Sequence, residues 1–252
     1  MYLGIDHLVI AVDDPEAAGN LLEREVGLAA SGSGRHDTLG TYNRVAWLGD
    51  SYIELIGVFD QGLAGRSWLG RPTLRTLDTG GGLVTWAIAT DGLDADLELL
   101  RADGSDLEDA FAGERRRPDG AMVRWRFSAP PLLGPVEAPF LIEHDQTSAE
   151  WTAADRDLRS GGPFGLEALE LTVDNVQLTS QRMGRAVGLR FRPALVGGGA
   201  RDANLGDQIV RLRLRRGATS VAVIRLRGPV REPRTVDLLG CRWVVDTPVS
   251  RG

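Results

Sequence analysis

The stretch GIDHLVIAVD, from Gly4 to Asp13, decides the fold because the chain repeats it twice. The second copy, GLVTWAIATD, begins at Gly82, and the third, GLEALELTVD, begins at Gly165. Each copy has the apolar pattern of a strand and is followed by a helical pattern and further strands. One supersecondary unit therefore recurs at intervals of about 80 residues, and only its first copy carries a histidine, His7.

The first unit shows the plan most clearly. Asp14 and Pro15 predict the start of a helix, since Asp caps helices and Pro fits their first position, and Gly27 predicts its end. Unit one also has predicted strands 5–12, 42–48 and 52–58. Unit two has predicted strands 83–90, 122–127 and 140–144 with a helix over about 93–101, and unit three has strands 166–173, 209–215 and 219–226 with a helix over 175–187, followed by a tail with a strand at 242–245. We expect an α+β fold with two paired βαβββ modules in residues 1–145, a linker at 146–164 and a third, degenerate module with a tail in 165–252.

Composition limits the chemistry that the chain can perform. It has 252 residues, a net charge of −6 and no lysine, so all 29 of its basic residues are arginine, which excludes Schiff-base chemistry. Cys241 is the only cysteine, which excludes an internal disulfide and cysteine-clustered zinc, and we expect a buried, inert thiol. No signal peptide or apolar span of membrane length occurs, so a cytoplasmic protein without a membrane partner is expected.

Two glutamates lie in the strands that close the first two units. Glu54 in YIELI and Glu143 in FLIEH each lie in or after an apolar run, where a charge is costly unless it is paired or bound to a cation. With His7 they offer one imidazole and two carboxylates from three strands. Such donors suit a divalent metal (Zn, Fe, Mn, Ni or Co), and a cavity that uses them only for hydrogen bonds is the alternative.

The sequence offers a less suitable residue at the fourth ligand position of this predicted metal site. Thr85 occupies the place of His7 in the second unit, and threonine is a poor metal ligand, so water, substrate or His36 would have to complete the site. His144 directly follows Glu143, and the alternation of a strand predicts that it points to the opposite face and has a structural role.

The order of these motifs resembles the vicinal oxygen chelate superfamily, and more narrowly its glyoxalase-like family. The resemblance covers about residues 4–145 and rests on GIDHLV at Gly4, GRH at Gly34, GTYN at Gly40, YIELI at Tyr52, RPDG at Arg117, WR at Trp125 and PFLIE at Pro139. It implies βαβββ modules that pair into a glyoxalase/bleomycin-resistance-like cup around a metal. The implied metal positions are His7, Glu54 and Glu143, and His36, Asn43 and Trp125 are implied to line the substrate cavity.

The expected function is that of a metal-dependent glyoxalase-like enzyme of lyase, isomerase or dioxygenase type. Its substrate would be a small oxygen-rich metabolite, held by Asn43, Thr85 and Trp125, while Glu54, Glu143 or His36 would serve as general base. The alternative is a non-catalytic protein of the same fold that binds or sequesters a small molecule.

The third unit carries no equivalent ligands. Ala168 stands in the place of His7, and residues 221–222 lie near the expected place of Glu54. Residues 161–252 hold 15 Arg against 8 acidic residues, whereas residues 1–160 hold 14 against 27. We therefore expect the third unit to dock structurally on the others or on a second copy in a homodimer. Its arginine strand 209–216 has no aromatic residue for base stacking, so no nucleic-acid partner is expected.

Overall fold

The computed structural model describes residues 2–152, 155, 164–217 and 221–247. Its first half comprises, in chain order, β1 (Tyr2–Ala11), α1 (Pro15–Val26), β2 (Gly32–His36), β3 (Thr41–Leu48), β4 (Ser51–Val58), α2 (Gln61–Ala64), α3 (Gly70–Leu77), β5 (Gly82–Thr90), α4 (Leu93–Ala102), β6 (Phe111–Arg116), β7 (Met122–Ser128) and β8 (Phe140–His144). The eight strands close into a barrel in the order β1-β4-β3-β2-β6-β7-β8-β5. The predicted α+β fold of βαβββ modules around a cup is confirmed.

Local sequence signals set the first helix as predicted. The side chain of Asp14 accepts hydrogen bonds from the backbone N–H groups of Glu16 and Ala17, and Pro15 opens the helix. Gly27 ends it with φ at 86°, a left-handed conformation that suits glycine. The helix buries Leu22 against the outside of the barrel.

The two faces of β1 have different roles. Leu8 and Ile10 belong to a large apolar core outside the barrel, whereas Val9 and Ala11 pack in a separate cluster inside it. β1 pairs in parallel with β4 and antiparallel with β5, so the opening strands of the two modules lie side by side at the centre. His7 shares the parity of Val9 and so points into the barrel.

The second half forms a separate sheet. Its elements are β9 (Gly165–Val173), α5 (Val176–Val187), β10 (Arg192–Pro193), β11 (Arg201–Leu205), β12 (Gln208–Leu214), β13 (Ala222–Arg227), β14 (Arg234–Leu238) and β15 (Cys241–Asp246). The sheet order is β10-β11-β12-β9-β13-β15-β14, which matches β2-β3-β4-β1-β5-β8-β7 of the barrel.

This match corrects the sequence interpretation of the strand predicted at 219–226, of which residues 221–226 lie in the described part of the chain. β13 pairs antiparallel with β9 as β5 does with β1, and β15 is parallel to β13 as β8 is to β5. The strand that corresponds to β4 is β12, and its Arg211, opposite Glu170, occupies the place of Glu54. Residues 221–222 were therefore wrongly placed, because the sequence does not show which strand pairs in parallel with β9.

The second sheet packs on the barrel through a shared apolar core that includes Leu8, Leu169 and Trp243. Gln208 reinforces the contact, since its Oε1 accepts from the backbone N of Ile5 at 2.6 Å and its Nε2 donates to Oγ of Ser51 at 2.7 Å. Among the described residues no helix is both long and apolar enough to span a membrane.

Candidate functional site

His7 is buried inside the barrel, only 4% exposed, and its ring stacks on that of Tyr52 with centroids 4.5 Å apart. Its Nδ1 lies 2.6 Å from Oδ1 of Asp6. These neighbours can meet because the register of β1 against β5 shifts between Ile5 and His7, and such a bulge re-aims a side chain. Asp6 therefore orients the imidazole of His7, a role that the sequence interpretation missed.

Asp6 lies between two imidazoles. Nε2 of His144 lies 3.0 Å from its Oδ2 and 3.1 Å from its Oδ1, the oxygen that His7 also contacts. Burial alone would raise the pKa of Asp6, but the charge and hydrogen bond of His144, and then those of His7, hold it below the usual range. An ionised Asp6 keeps the proton of His7 on Nδ1, which leaves Nε2 facing the cavity.

Glu54 lies at the centre of the site on β4 and is 5% exposed. Its Oε1 accepts a hydrogen bond of 2.6 Å from Nδ2 of Asn43. Nε2 of His7 lies 3.7 Å from its Oε2, and Nε2 of His36 lies 3.8 Å from its Oε1. The structure thus brings together four residues that the sequence singled out.

His36 ends β2 and is buried. Its Nδ1 lies 3.1 Å from Oγ1 of Thr41, and its ring meets the edge of Trp125. Burial, opposed by the charge of Glu54, lowers the pKa of His36 to about 4. The imidazole is therefore neutral near pH 7.

Glu143 does not join this group, and the prediction that it converges with His7 is wrong. Its carboxylate lies outside the barrel, 3.5 Å from Nη1 of Arg126. Phe140 and Ile142 pack in the inner cluster and Leu141 in the outer core, so Glu143 shares the outward parity of Leu141. His144, expected to point away, is the residue that lines the cavity.

The strand register explains this difference. Glu54 is opposite Val9 on β1, and the corresponding pair in the second module is Ala87 with Phe140. Phe140 thus occupies the place of Glu54, and its ring meets that of His7 at 5.4 Å. Thr85, opposite Val9, is fully buried, and its hydroxyl has no hydrogen-bond partner among the described residues. The second module therefore supplies no counterpart of the imidazole of His7 or of the carboxylate of Glu54.

A buried ion pair that the sequence did not reveal closes one side of the cavity. Nη2 of Arg115 donates to Oε2 of Glu150 at 2.6 Å, and Nη1 donates to the backbone oxygen of Ser33 at 2.8 Å. Trp151 follows Glu150 and stacks on His144 with centroids 3.8 Å apart. Glu150 lies in the expected linker, where composition gave no sign of a site residue.

The cavity around Glu54 measures about 30 Å³, and His7, His36, Asn43, Glu54 and Trp125 are among its lining residues. An apolar groove of about 910 Å³ adjoins it and shares Leu39, Trp68, Trp125 and His144 with it. Phe127, also in the groove, stacks on Trp68. The site therefore combines a small polar chamber with a large apolar approach.

The side chains around Glu54 have the donor chemistry of a metal site but a wider spacing. Within the described ranges, no group of three or more His, Cys, Asp or Glu side chains has the spacing of a metal site. The separations of 3.7 and 3.8 Å around Glu54 exceed, by a few tenths of an ångström, the ligand–ligand distance of roughly 3.4 Å expected for tetrahedral bonds near 2.1 Å. Oδ1 of Asn43, beside Glu54, is buried with no partner in the described part of the chain. Two imidazoles and a carboxylate are donors of the kind that suits a divalent ion.

Comparison with known proteins identifies the family of the chain. A family model described as a glyoxalase-like domain matches residues 5–187. No curated protein matches the chain. A crystal structure of a hypothetical protein from Staphylococcus aureus superposes with a TM-score of 0.77 at 15% identity, over 97% of this chain and 99% of that one. Methylmalonyl-CoA epimerase from Mycobacterium tuberculosis matches at 24% identity with a TM-score of 0.42, over 56% of this chain and 87% of the epimerase.

Proposed function

We propose that this chain, which belongs to the glyoxalase-like domain family, is a metal-dependent enzyme of the vicinal oxygen chelate type. The proposal depends on one observation. Both Nε2 of His7 and Nε2 of His36 face the carboxylate of Glu54 in a buried cavity, at 3.7 and 3.8 Å. These three residues would hold a divalent ion, with His36 in place of the Glu143 expected from the sequence.

The surrounding residues support this ligand set. Asp6 holds the far nitrogen of His7, and Oγ1 of Thr41 lies beside the far nitrogen of His36. Partners of this kind fix the orientation and tautomer of histidine ligands. The low pKa of His36 keeps it neutral, which a ligand requires and which makes it a weak general base.

The bound metal would polarise an oxygen of the substrate as a Lewis acid. Glu54 would serve as the base as well as a ligand: its Oε1, which accepts from Asn43, would stay with the ion, and its Oε2 would accept a proton from a carbon beside that substrate oxygen. Burial raises the pKa of Tyr52 well above its ordinary value, which leaves its hydroxyl protonated as a hydrogen-bond donor at the cavity wall. This arrangement favours isomerase or lyase chemistry that begins with proton removal.

The two spaces indicate how a substrate would bind. A cavity of about 30 Å³ accepts only a small polar group. The groove of about 910 Å³, with Trp68 and Phe127, suits an apolar or aromatic body. We assign the reacting oxygens to the cavity and the body of the substrate to the groove.

The test is the metal content of protein purified without chelator and incubated with Zn, Mn, Fe, Co or Ni, measured by mass spectrometry. Wild-type protein should bind about one ion per chain, whereas His7→Ala, His36→Ala and Glu54→Gln should lose it. Glu143→Gln is the matched control and should keep the ion, because Glu143 lies outside the barrel. Wild-type protein that stays metal-free contradicts the proposal.

A non-catalytic binding protein is the second candidate. The observation that favours it is the second module, where Thr85 and Phe140 replace the equivalents of His7 and Glu54. A metal-free protein that still binds a small molecule in the groove would support it.

A further inference from the structure

The cavity that contains Glu54 is also lined by a buried guanidinium, that of Arg115, which is 5% exposed. A guanidinium presents five N–H donors in a planar fork that matches a carboxylate. Nη2 of Arg115 donates to Glu150, and Nη1 to a backbone oxygen. Arg115 is therefore an anion-binding group placed in the reactive chamber and paired with a carboxylate from the same chain.

The partner carboxylate is held there by a strained backbone. Glu150 has φ at 69°, in the left-handed region that a glutamate rarely adopts, and it is 7% exposed. Its backbone N donates to Oδ2 of Asp155 at 2.8 Å, which fixes this conformation. Strain of this kind persists only where the surroundings impose it, and it is concentrated at functional sites.

Glu150 and Trp151 also limit the room in the chamber. The ring of Trp151 stacks on His144 and meets Trp47 edge-on, with ring centroids 6.4 Å apart. Glu150 and Trp151 both line the cavity. The remaining 30 Å³ holds about two water molecules. A substrate head group with several heavy atoms needs more room than this, and displacement of the Glu150 side chain would supply it.

We propose that Arg115 anchors a carboxylate of the substrate and that the Glu150 side chain takes the place of this carboxylate until the substrate displaces it. The substrate class is then an organic acid with a carbonyl or hydroxyl oxygen close to its carboxylate. The assignment of a carbonyl or hydroxyl oxygen close to the carboxylate rests on the proposed function, because that function assigns the reacting oxygens of the substrate to the chamber at Glu54. The anchoring itself requires only Arg115 and Glu150.

The experiment measures binding of acetate, propionate and 2-oxobutyrate to full-length, chelator-treated protein, by tryptophan fluorescence and titration calorimetry. The methyl ester of 2-oxobutyrate serves as the uncharged probe. Glu150→Gln removes the competing charge and should lower the Kd of at least one acid about tenfold, with no binding of the ester. Glu23→Gln on α1 is the matched control and should match wild type, because Glu23 is exposed and lines neither the chamber nor the groove.

Arg115→Gln alone would leave Glu150 buried without a partner and can unfold the protein. The double variant Arg115→Gln/Glu150→Gln avoids this charge and should lose the acid binding gained by Glu150→Gln. The proposal is wrong if none of the acids binds the Glu150→Gln variant more tightly than wild type, or if the double variant binds them as tightly as Glu150→Gln does. The ion pair of Arg115 and Glu150 then has only a structural role. Metal content of the same proteins is measured separately, so failure of the metal assignment is distinguishable from failure of the carboxylate site.

Discussion

Glu170→Gln should destabilise the second sheet through the loss of a buried charge. Glu170 on β9 is 3% exposed, and its carboxylate accepts from Nε of Arg213 and Nε of Arg225 at 2.6 Å each and from Nη1 of Arg211 at 3.3 Å. Burial alone would raise the pKa of Glu170, but hydrogen bonds from Arg225 and Arg213 hold it below the usual range. Glutamine keeps the volume and loses the charge that compensates these arginines.

The magnitude follows from the three contacts. Breaking a fully buried pair costs about 3–5 kcal/mol. Arg213 is 40% and Arg225 32% exposed, so solvent screens part of this, and we expect a loss of about 2–3 kcal/mol at pH 7. For a chain of this size that corresponds to a Tm lower by roughly 4–12 °C.

The effect should depend on pH. Because the folded pKa of Glu170 lies below its unfolded value of about 4.3, the stabilisation is complete above that value and is lost as the pH falls through the folded pKa. Thermal unfolding followed by circular dichroism should therefore show a large difference between variant and wild type at pH 7 and a smaller one at pH 3.

Glu167→Gln on the same strand is the matched control. Its partner, Arg227, lies 3.3 Å away, and both side chains are about one third exposed, so its loss should stay within about 1 kcal/mol. If the two variants unfold at the same temperature at pH 7, the reasoning about Glu170 is refuted.

Four further outcomes are expected. Asp6→Asn should weaken metal binding about 10–100-fold in competition with a chromophoric chelator, and unchanged affinity would show that Asp6 does not orient His7. Burial raises the pKa of Cys241 to about 12, so thiol reagents should label it at pH 8 only after denaturation, and rapid labelling of native protein would contradict its burial. Leu22→Ala should cost about 2–5 kcal/mol in urea unfolding, against less than about 0.5 for the exposed Leu99→Ala, and equal losses would refute the assigned core. Deletion of residues 161–252 should give insoluble protein, and a soluble 1–160 fragment that folds cooperatively would show that the second sheet is dispensable.

Much of the fold could be predicted because its signals are local. Asp14, Pro15 and Gly27 set the first helix through hydrogen bonds and backbone preferences within a few residues. The alternation along β1 likewise separates Leu8 and Ile10 from the inward positions.

The error at Glu143 arose from spacing. Glu54 follows an inward aromatic residue, Tyr52, by two positions and therefore shares its face, whereas Glu143 follows Phe140 by three and takes the opposite face. The period of two along a strand contained this information, but the resemblance between YIELI and FLIEH concealed it.

Arg115 and Glu150 could not be found in this way. They are 35 positions apart and meet only because β6 and the segment after β8 lie on the same side of the barrel. The role of β13 was equally inaccessible, because strand pairing between distant segments leaves no periodic pattern in either of them.

The shared apolar core has a thermodynamic consequence. Cys241, at the start of β15, belongs to the same cluster as Leu8 of the barrel, so exposure of its thiol reports on unfolding of the sheet that supports the reactive chamber. A ligand that binds only the folded chamber multiplies the folding equilibrium constant by 1 + [L]/Kd, or about 100-fold at 100 times its Kd. Where thiol labelling proceeds through unfolding of the shared core, it should slow by the same factor. A single cysteine in the second sheet can thus measure the affinity of any compound for the chamber without an assay of turnover.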